Sequence, residues 1–182
     1  MTKTVYKYLL TALLLISVLS CKDKNKSILE QEAIQDSLRL NAIETFKKDL
    51  IPSPLEHTDF YISLPKDYII KPQQGPDFNI FYVVHNDTIS TTNYYGGLYI
   101  GNHPNTFEMT NDSCNIDYIE GNVFDKKNQW TTYNCNEDYS LEAVIDNKYN
   151  QSWNQKIHFF GNSVNKEGID KLIMIYETLS KR

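Results

Sequence analysis

Four histidines, His57, His85, His103 and His158, and a scatter of carboxylates are the groups in this chain that could move protons or ligate a metal. A zinc protease needs two histidines one helical turn apart with a glutamate between them. An acyl-transfer enzyme of the common kind needs a serine on a strained G-x-S-x-G turn, and a nucleotide enzyme needs a glycine-rich phosphate cradle. None of these spacings occurs. His57-Thr58-Asp59 offers a base beside an acid, but no nucleophile at an activating turn accompanies it. Asp36 with Glu44 falls on a helix face and Glu137-Asp138 in a turn, where solvated charge is expected. A glycosidase needs two carboxylates across a cleft, which spacing along a chain does not show. Asp146-Asn147-Lys148-Tyr149-Asn150 has the oxygens of a calcium loop, yet Lys148 occupies a ligand position and no glycine makes the turn, so a hairpin loop is expected. These residues predict a protein that binds rather than catalyses, with no cofactor and no metal.

Material for binding is concentrated in Tyr94-Tyr95-Gly96-Gly97-Leu98-Tyr99-Ile100-Gly101-Asn102-His103-Pro104. A tyrosine presents a large rigid area at little cost in conformational entropy, and glycine turns can display it. Tyr95, Tyr99 and His103 are therefore the candidate binding surface. The competing reading has the same tyrosines covering a sheet edge and serving packing alone.

Cysteine chemistry is tied to the N-terminus. Lys3 and Lys7 precede an apolar run, Leu9 to Ser20, that ends at Cys21 and gives way at once to Lys22-Asp23-Lys24-Asn25-Lys26. The run is shorter than the roughly 20 apolar residues of a spanning helix and has the layout of an export signal. Val18-Leu19-Ser20-Cys21 resembles the lipobox of bacterial lipoproteins. That resemblance implies removal of residues 1–20, acylation of Cys21 and a solvated tether over 21–27. The alternative is an ordinary signal peptide that happens to contain Cys21. Two acyl chains suffice for stable anchoring, since each buried CH₂ contributes ~0.8 kcal/mol. Lys22-Asp23 also resembles the start of the signal that sends some Bacteroidetes-type lipoproteins to the cell surface, although Lys24 stands where that pattern has an acid. The expected location is thus the bacterial envelope, at the outer membrane, on either face. Of three cysteines this leaves Cys114 and Cys135. An even remainder in an oxidising compartment reads as one disulfide, with two unpaired buried thiols as the alternative.

Removing residues 1–20 takes Lys3 and Lys7 from the 18 basic residues and leaves 16 against 23 acids, a formal charge of −7. That balance argues against binding a phosphate backbone, so no nucleic-acid partner is expected. The partners expected are the membrane, through the lipid, and a protein.

The positioning elements follow from periodicity. Ser27 and Glu30 form a capping-box pattern, and Ile34, Leu38, Ala42, Phe46 and Leu50 recur every four residues, predicting an amphipathic helix over 28–51 that Pro52 and Pro54 stop. Its polar face carries both signs of charge, which suits packing on the following domain better than a lipid surface. From His57 the period changes to two. Phe60, Ile62 and Leu64 mark one strand, and Phe78 to Val84 a central one apolar on both sides. Leu98-Ile100 is a short strand between glycine turns, and 130–133, 141–145 and 157–160 supply three more. Asn165 caps a last helix reaching Ser180, with Ile169, Leu172, Ile173, Tyr176 and Leu179 as its apolar stripe and Lys181 and Arg182 at its negative end. The class is α+β: a mainly antiparallel sheet with an N-terminal helix and a C-terminal amphipathic helix.

Phe60-Tyr61-Ile62-Ser63-Leu64-Pro65 followed by Lys66-Asp67-Tyr68, together with Lys156-Ile157-His158-Phe159-Phe160-Gly161 running into Ile169-Asp170-Lys171-Leu172-Ile173, resembles the PsbP-like αβα sandwich proteins over 57–182. The resemblance implies a binding domain without a catalytic signature. The leading expectation is a noncatalytic envelope lipoprotein with a protein partner, in an assembly or immunity-type role. The alternatives are a lipoprotein for a small ligand or glycan, and an envelope enzyme whose site the sequence does not display. On this reading, the intact mass of membrane-purified protein should show a chain that starts at Cys21 with acyl mass added, and Cys21→Ser should block maturation. A soluble, unmodified chain beginning elsewhere would refute it.

Overall fold

The computed structural model describes residues 34, 37–38, 40–87, 94–107, 114–136, 138–149 and 155–181, in two compact units, Met1–Lys48 and Asp49–Arg182. In the first unit residues 40–48 form helix α1, and positions 34, 37 and 38 are helical as well. The lipobox, the tether and the capping box lie outside the described residues. Among those that are described, no helix is long and apolar enough to cross a membrane.

The second unit is sheet-dominated. A three-stranded antiparallel sheet has the order β1-β2-β10, from Ile51–Pro54, Phe60–Leu64 and Ser180–Lys181. A seven-stranded sheet has the order β3-β4-β5-β9-β8-β7-β6. Its strands are Tyr68–Gln74, Phe78–His85, Tyr94–Gly101, Lys156–Ser163, Asp138–Asp146, Lys126–Cys135 and Asn115–Val123, each antiparallel to its neighbours. Helix α2, Lys166–Tyr176, lies against β9, β5 and β8 on one side and β2 on the other. The core is the layer between the helix and small sheet and one face of the large sheet. Phe81, Leu98, Phe159 and Ala143 cross it in register on β4, β5, β9 and β8, all buried.

Several expectations hold in detail. Asn165 caps α2, its side-chain oxygen accepting from Gly168 N–H at 2.9 Å. All five residues of the apolar stripe are buried. Others are corrected. The prolines after α1 stop it and then form strand β1, so Ile51 belongs to the sheet rather than to the helix. Proline is tolerated there because β1 is an edge strand, and Pro72 sits in the edge strand β3 for the same reason. Helix α2 ends at Tyr176, and Lys181 pairs in β10 instead of sitting in the helix's last turn. Strand β5 is eight residues long and contains Gly96, Gly97 and Gly101, which sequence reading takes for turns. These glycines are required by close approach. A Cβ at Gly96 would collide with the Tyr176 hydroxyl, and one at Gly97 would come within 2.8 Å of the Phe160 ring. Strand β4 is covered on one side only: Phe81 and Val83 are buried, whereas Phe78, Ile80, Tyr82 and Val84 are half-exposed.

Cys114 and Cys135 form a disulfide. It lies next to the last cross-strand pair, Asn115 with Asn134, at the open end of the β6–β7 hairpin. At the closed end Phe124 and Asp125 both have positive φ, 54° and 60°, the requirement of a two-residue turn of the I′ type. Covalent closure of a loop this size contributes about 3 kcal/mol on the chain-entropy account. Cys114→Ser with Cys135→Ser should therefore lower unfolding stability by about 3 kcal/mol, read from the urea midpoint, with the far-ultraviolet spectrum of the native state retained.

Candidate functional site

The seven-stranded sheet has a second face, turned away from α2, and the candidate residues stand on it. Tyr95 and Tyr99 project from β5 on the same side as Ile80 and Tyr82 of β4 and His158 and Phe160 of β9, as the register requires. Tyr95 is 52% exposed and His103 is exposed, while Tyr99 is half-buried. Tyr99 has a second task. Its ring packs on Phe78, with centroids 5.6 Å apart, and its hydroxyl accepts from the His103 N–H at 3.0 Å. To reach that N–H the ring lies over Gly101, where any Cβ would strike it. Tyr95 and His103 are thus offered to solvent, and Tyr99 holds the turn that carries His103.

Between these residues Phe160 leans over Gly97 and meets Tyr82 edge-on, centroids 6.1 Å apart. Val144 of β8 and Tyr118 of β6 extend the exposed apolar surface across the sheet, Tyr118 at 65% exposure. Tyr94, the neighbour of Tyr95, points the other way. It is buried and stacked on Tyr68 with centroids 4.8 Å apart, and desolvation raises its phenol far above the ordinary range.

Toward β7 and β8 this face carries a buried polar group that sequence reading does not single out. Glu142 accepts from the Tyr133 hydroxyl at 2.6 Å, from Phe107 N–H at 3.0 Å and from His158 Nε2 at 3.2 Å. Phe107, from the segment that follows β5, caps the group with its ring edge-on to both Tyr133 and His158. Three donors replace the water that the carboxyl group would otherwise need, so Glu142 is buried with no lysine or arginine paired to it among the described residues. The network sets His158 as the tautomer with its proton on Nε2. Desolvation lowers the His158 pKa, the Glu142 charge opposing it, and burial with the Glu142 hydrogen bond raises that of Tyr133. A polar residue at an alternating position, Glu142 between Leu141 and Ala143, was the available signal. The pairing partners came from strands too distant in sequence to be read.

The residues weighed for catalysis fall elsewhere. His57 and Asp59 lie in the β1–β2 connection, where Thr58 closes the turn by donating to Leu55 O at 2.8 Å. His85 binds Asp67 at 3.0 Å. Asp146 is held by Lys156 at 2.6 Å, which lowers its pKa, rather than aimed into a calcium loop. Asp36 and Glu137 lie outside the described residues. The chain matches no protein-family model and no curated protein. Fold and surface define it as a sheet-dominated α+β domain with one sheet face closed by a helix and the other carrying half-exposed aromatic residues.

A depressed folded pKa at a histidine means that the unfolded chain takes up a proton the folded chain refuses. The stability contributed by neutral His158 is therefore complete above its ordinary value of 6.5 and is lost as pH falls below it, levelling off under the folded value. His158→Gln should flatten the pH dependence of the urea midpoint between about pH 7 and about pH 5 relative to the parent chain. Parallel curves would show that His158 is not the group responsible.

Proposed function

We propose that this chain is a noncatalytic lipoprotein of the bacterial envelope, anchored through Cys21, whose domain binds a protein partner in an assembly or immunity-type role. The docking surface is the open sheet face around Tyr95, Tyr99 and His103. The observation that carries this reading is the make-up of that face. Ile80, Tyr82, Tyr95, Tyr99, Val144 and Phe160 run across four adjacent strands, each half-buried or exposed, and Glu142, the carboxylate beside Phe160, is buried in its own hydrogen bonds. Aromatic enrichment is a compositional mark of an interface core. Burying an exposed tyrosine against a partner returns the apolar area that folding leaves in water. The lipobox supports the anchor, and the PsbP-like resemblance adds the expectation of a domain used for binding.

A photo-crosslinking residue at Tyr95, in intact envelopes, should trap one discrete protein adduct. The same residue at exposed Lys127 should not. Tyr95→Ala should weaken binding of that partner by about 1 to 4 kcal/mol while leaving the melting temperature nearly unchanged. Adducts at Tyr95 no different from those at Lys127, or a melting temperature that collapses in Tyr95→Ala, would refute the proposal.

A further inference from the structure

On the opposite side of the large sheet from the open face, at the rim of the core, the two sheets leave a cavity of about 370 Å³. The β1–β2 connection supplies Asp59, β2 supplies Phe60, β4 supplies Asn79, β5 supplies Ile100, and the segment after β8 and strand β10 supply Asn147 and Lys181. We infer that this cavity is a binding site for a neutral saccharide of one or two sugar units. It is separate from the open face, and its test is independent of the proposed protein partner.

Three observations lead there. The first is a polar residue where the pattern calls for an apolar one. Asn79 shares a face with Phe81 and Val83, and its register partner Ile100 is buried, so an apolar side chain at 79 would extend the core. Its carboxamide instead lines the cavity with no side-chain partner among the described residues. Asn147 brings a second carboxamide, 5% exposed, whose oxygen accepts from Tyr149 N–H at 3.1 Å. Asn79 is half-buried, so its carboxamide is the one that meets an entering ligand, while Asn147 is already hydrogen-bonded and shapes the wall.

The second is backbone strain spent on the walls. His57 at the mouth has φ 61°, in the left-handed region that few residues other than glycine adopt. Behind the lining, Phe124, at φ 54°, is a poor residue for a primed turn, yet its ring is buried against the lining residues Phe60 and Tyr149 at 5.5 and 5.1 Å. Lys148 fixes this turn by donating to Phe124 O at 2.9 Å.

The third is the charge balance. Asp59 and Lys181 sit 3.6 Å apart and neutralise each other, and the Lys181 ammonium also lies 5.2 Å over the Tyr149 ring. The walls therefore present donors and acceptors in mixture over a floor of Phe60 and Ile100, with no net charge to attract an ion. A sugar has the matching chemistry: hydroxyls that each donate and accept, set around an apolar C–H face. The volume lies near the lower end of ligand pockets and suits one or two rings.

Saturation-transfer NMR on the full chain, in a detergent without sugar groups, tests the inference with the methyl glycosides of glucose, galactose, mannose and N-acetylglucosamine, beside acetate and glycine as charged probes. At least one glycoside should receive saturation, and the effect should fall at least about fivefold in Asn79→Leu and in Asp59→Ala. Asn79→Leu extends the apolar core face, and Asp59 is exposed, so both variants are expected to fold; unchanged melting temperatures check it. No transfer to any glycoside, transfer that survives both substitutions, or transfer to acetate or glycine equal to that of the best glycoside would overturn the inference.

Discussion

Backbone-close contact between helix α2 and strands β5 and β9 is the constraint on which the domain depends. Three glycines make it possible. Gly96 makes room for the Tyr176 hydroxyl, Gly161 brings its backbone within 2.6 Å, measured from an added Cβ, of Leu172 Cδ1, and Gly168 places the helix start against Ser163 and Tyr94. Tyr176 then donates to Phe160 O at 2.7 Å from a fully buried position, anchoring the helix to the sheet by a polar bond inside an apolar layer. Desolvation drives that phenol far above its ordinary pKa, which favours the protonated form that donates this bond. A larger residue at any of the three glycines must lift the helix and open the core beneath it, the more so because interiors are packed as tightly as crystals.

With one face sealed in this way, the sheet's two sides have separate fates. The sealed side takes the volume-filling residues, among them Trp130, Phe159 and Leu141. The other side can afford polar chemistry: the Glu142 network sits there, satisfied by Tyr133, His158 and Phe107, beside aromatic residues still partly wet. The same division separates the proposed protein surface from the proposed sugar cavity, which lie on opposite faces and share no residue. Occupation of one leaves the groups of the other in place.

How much was legible depended on whether a residue's role was local. The disulfide followed from parity and compartment, the cap of α2 from Asn165 and its downstream N–H, and the stripe of α2 from its period, because each is decided within a few residues or by a count. The α+β class and most core strands were legible for the same reason. Strands β1 and β3 were not, since Pro52, Pro54 and Pro72 argue against a strand unless its edge position is known. Strand β6 mixes Asn115, Asp117 and Glu120 with Ile116 and Tyr118, the pattern of a solvated rim strand that resembles a loop. Gly96 and Gly97 read as turns in the sequence because side-chain atoms that exclude a Cβ there, from Tyr176 and Phe160, lie more than 60 residues away. Tyr95, Tyr99 and His103 were legible as a group, but the division of labour among them required the position of Gly101. Of the cavity, the sequence offers only His57-Thr58-Asp59, as a base beside an acid, and the 146–150 segment, as a loop.

The disulfide has a consequence for how this protein survives among its neighbours. Strand β6 closes one side of the large sheet, and an outermost strand with free amides and carbonyls is where sheets of different molecules join, or where a strand is exchanged between copies. The link between Cys114 and Cys135 turns β6, its tight turn and β7 into a covalent ring. Strand β6 therefore cannot peel away from β7 to be traded, nor can the pairing slip by one position and turn Tyr118 inward and Ile119 outward. A reducing environment would remove that protection before it unfolded the domain, making association through the rim an early event in its loss.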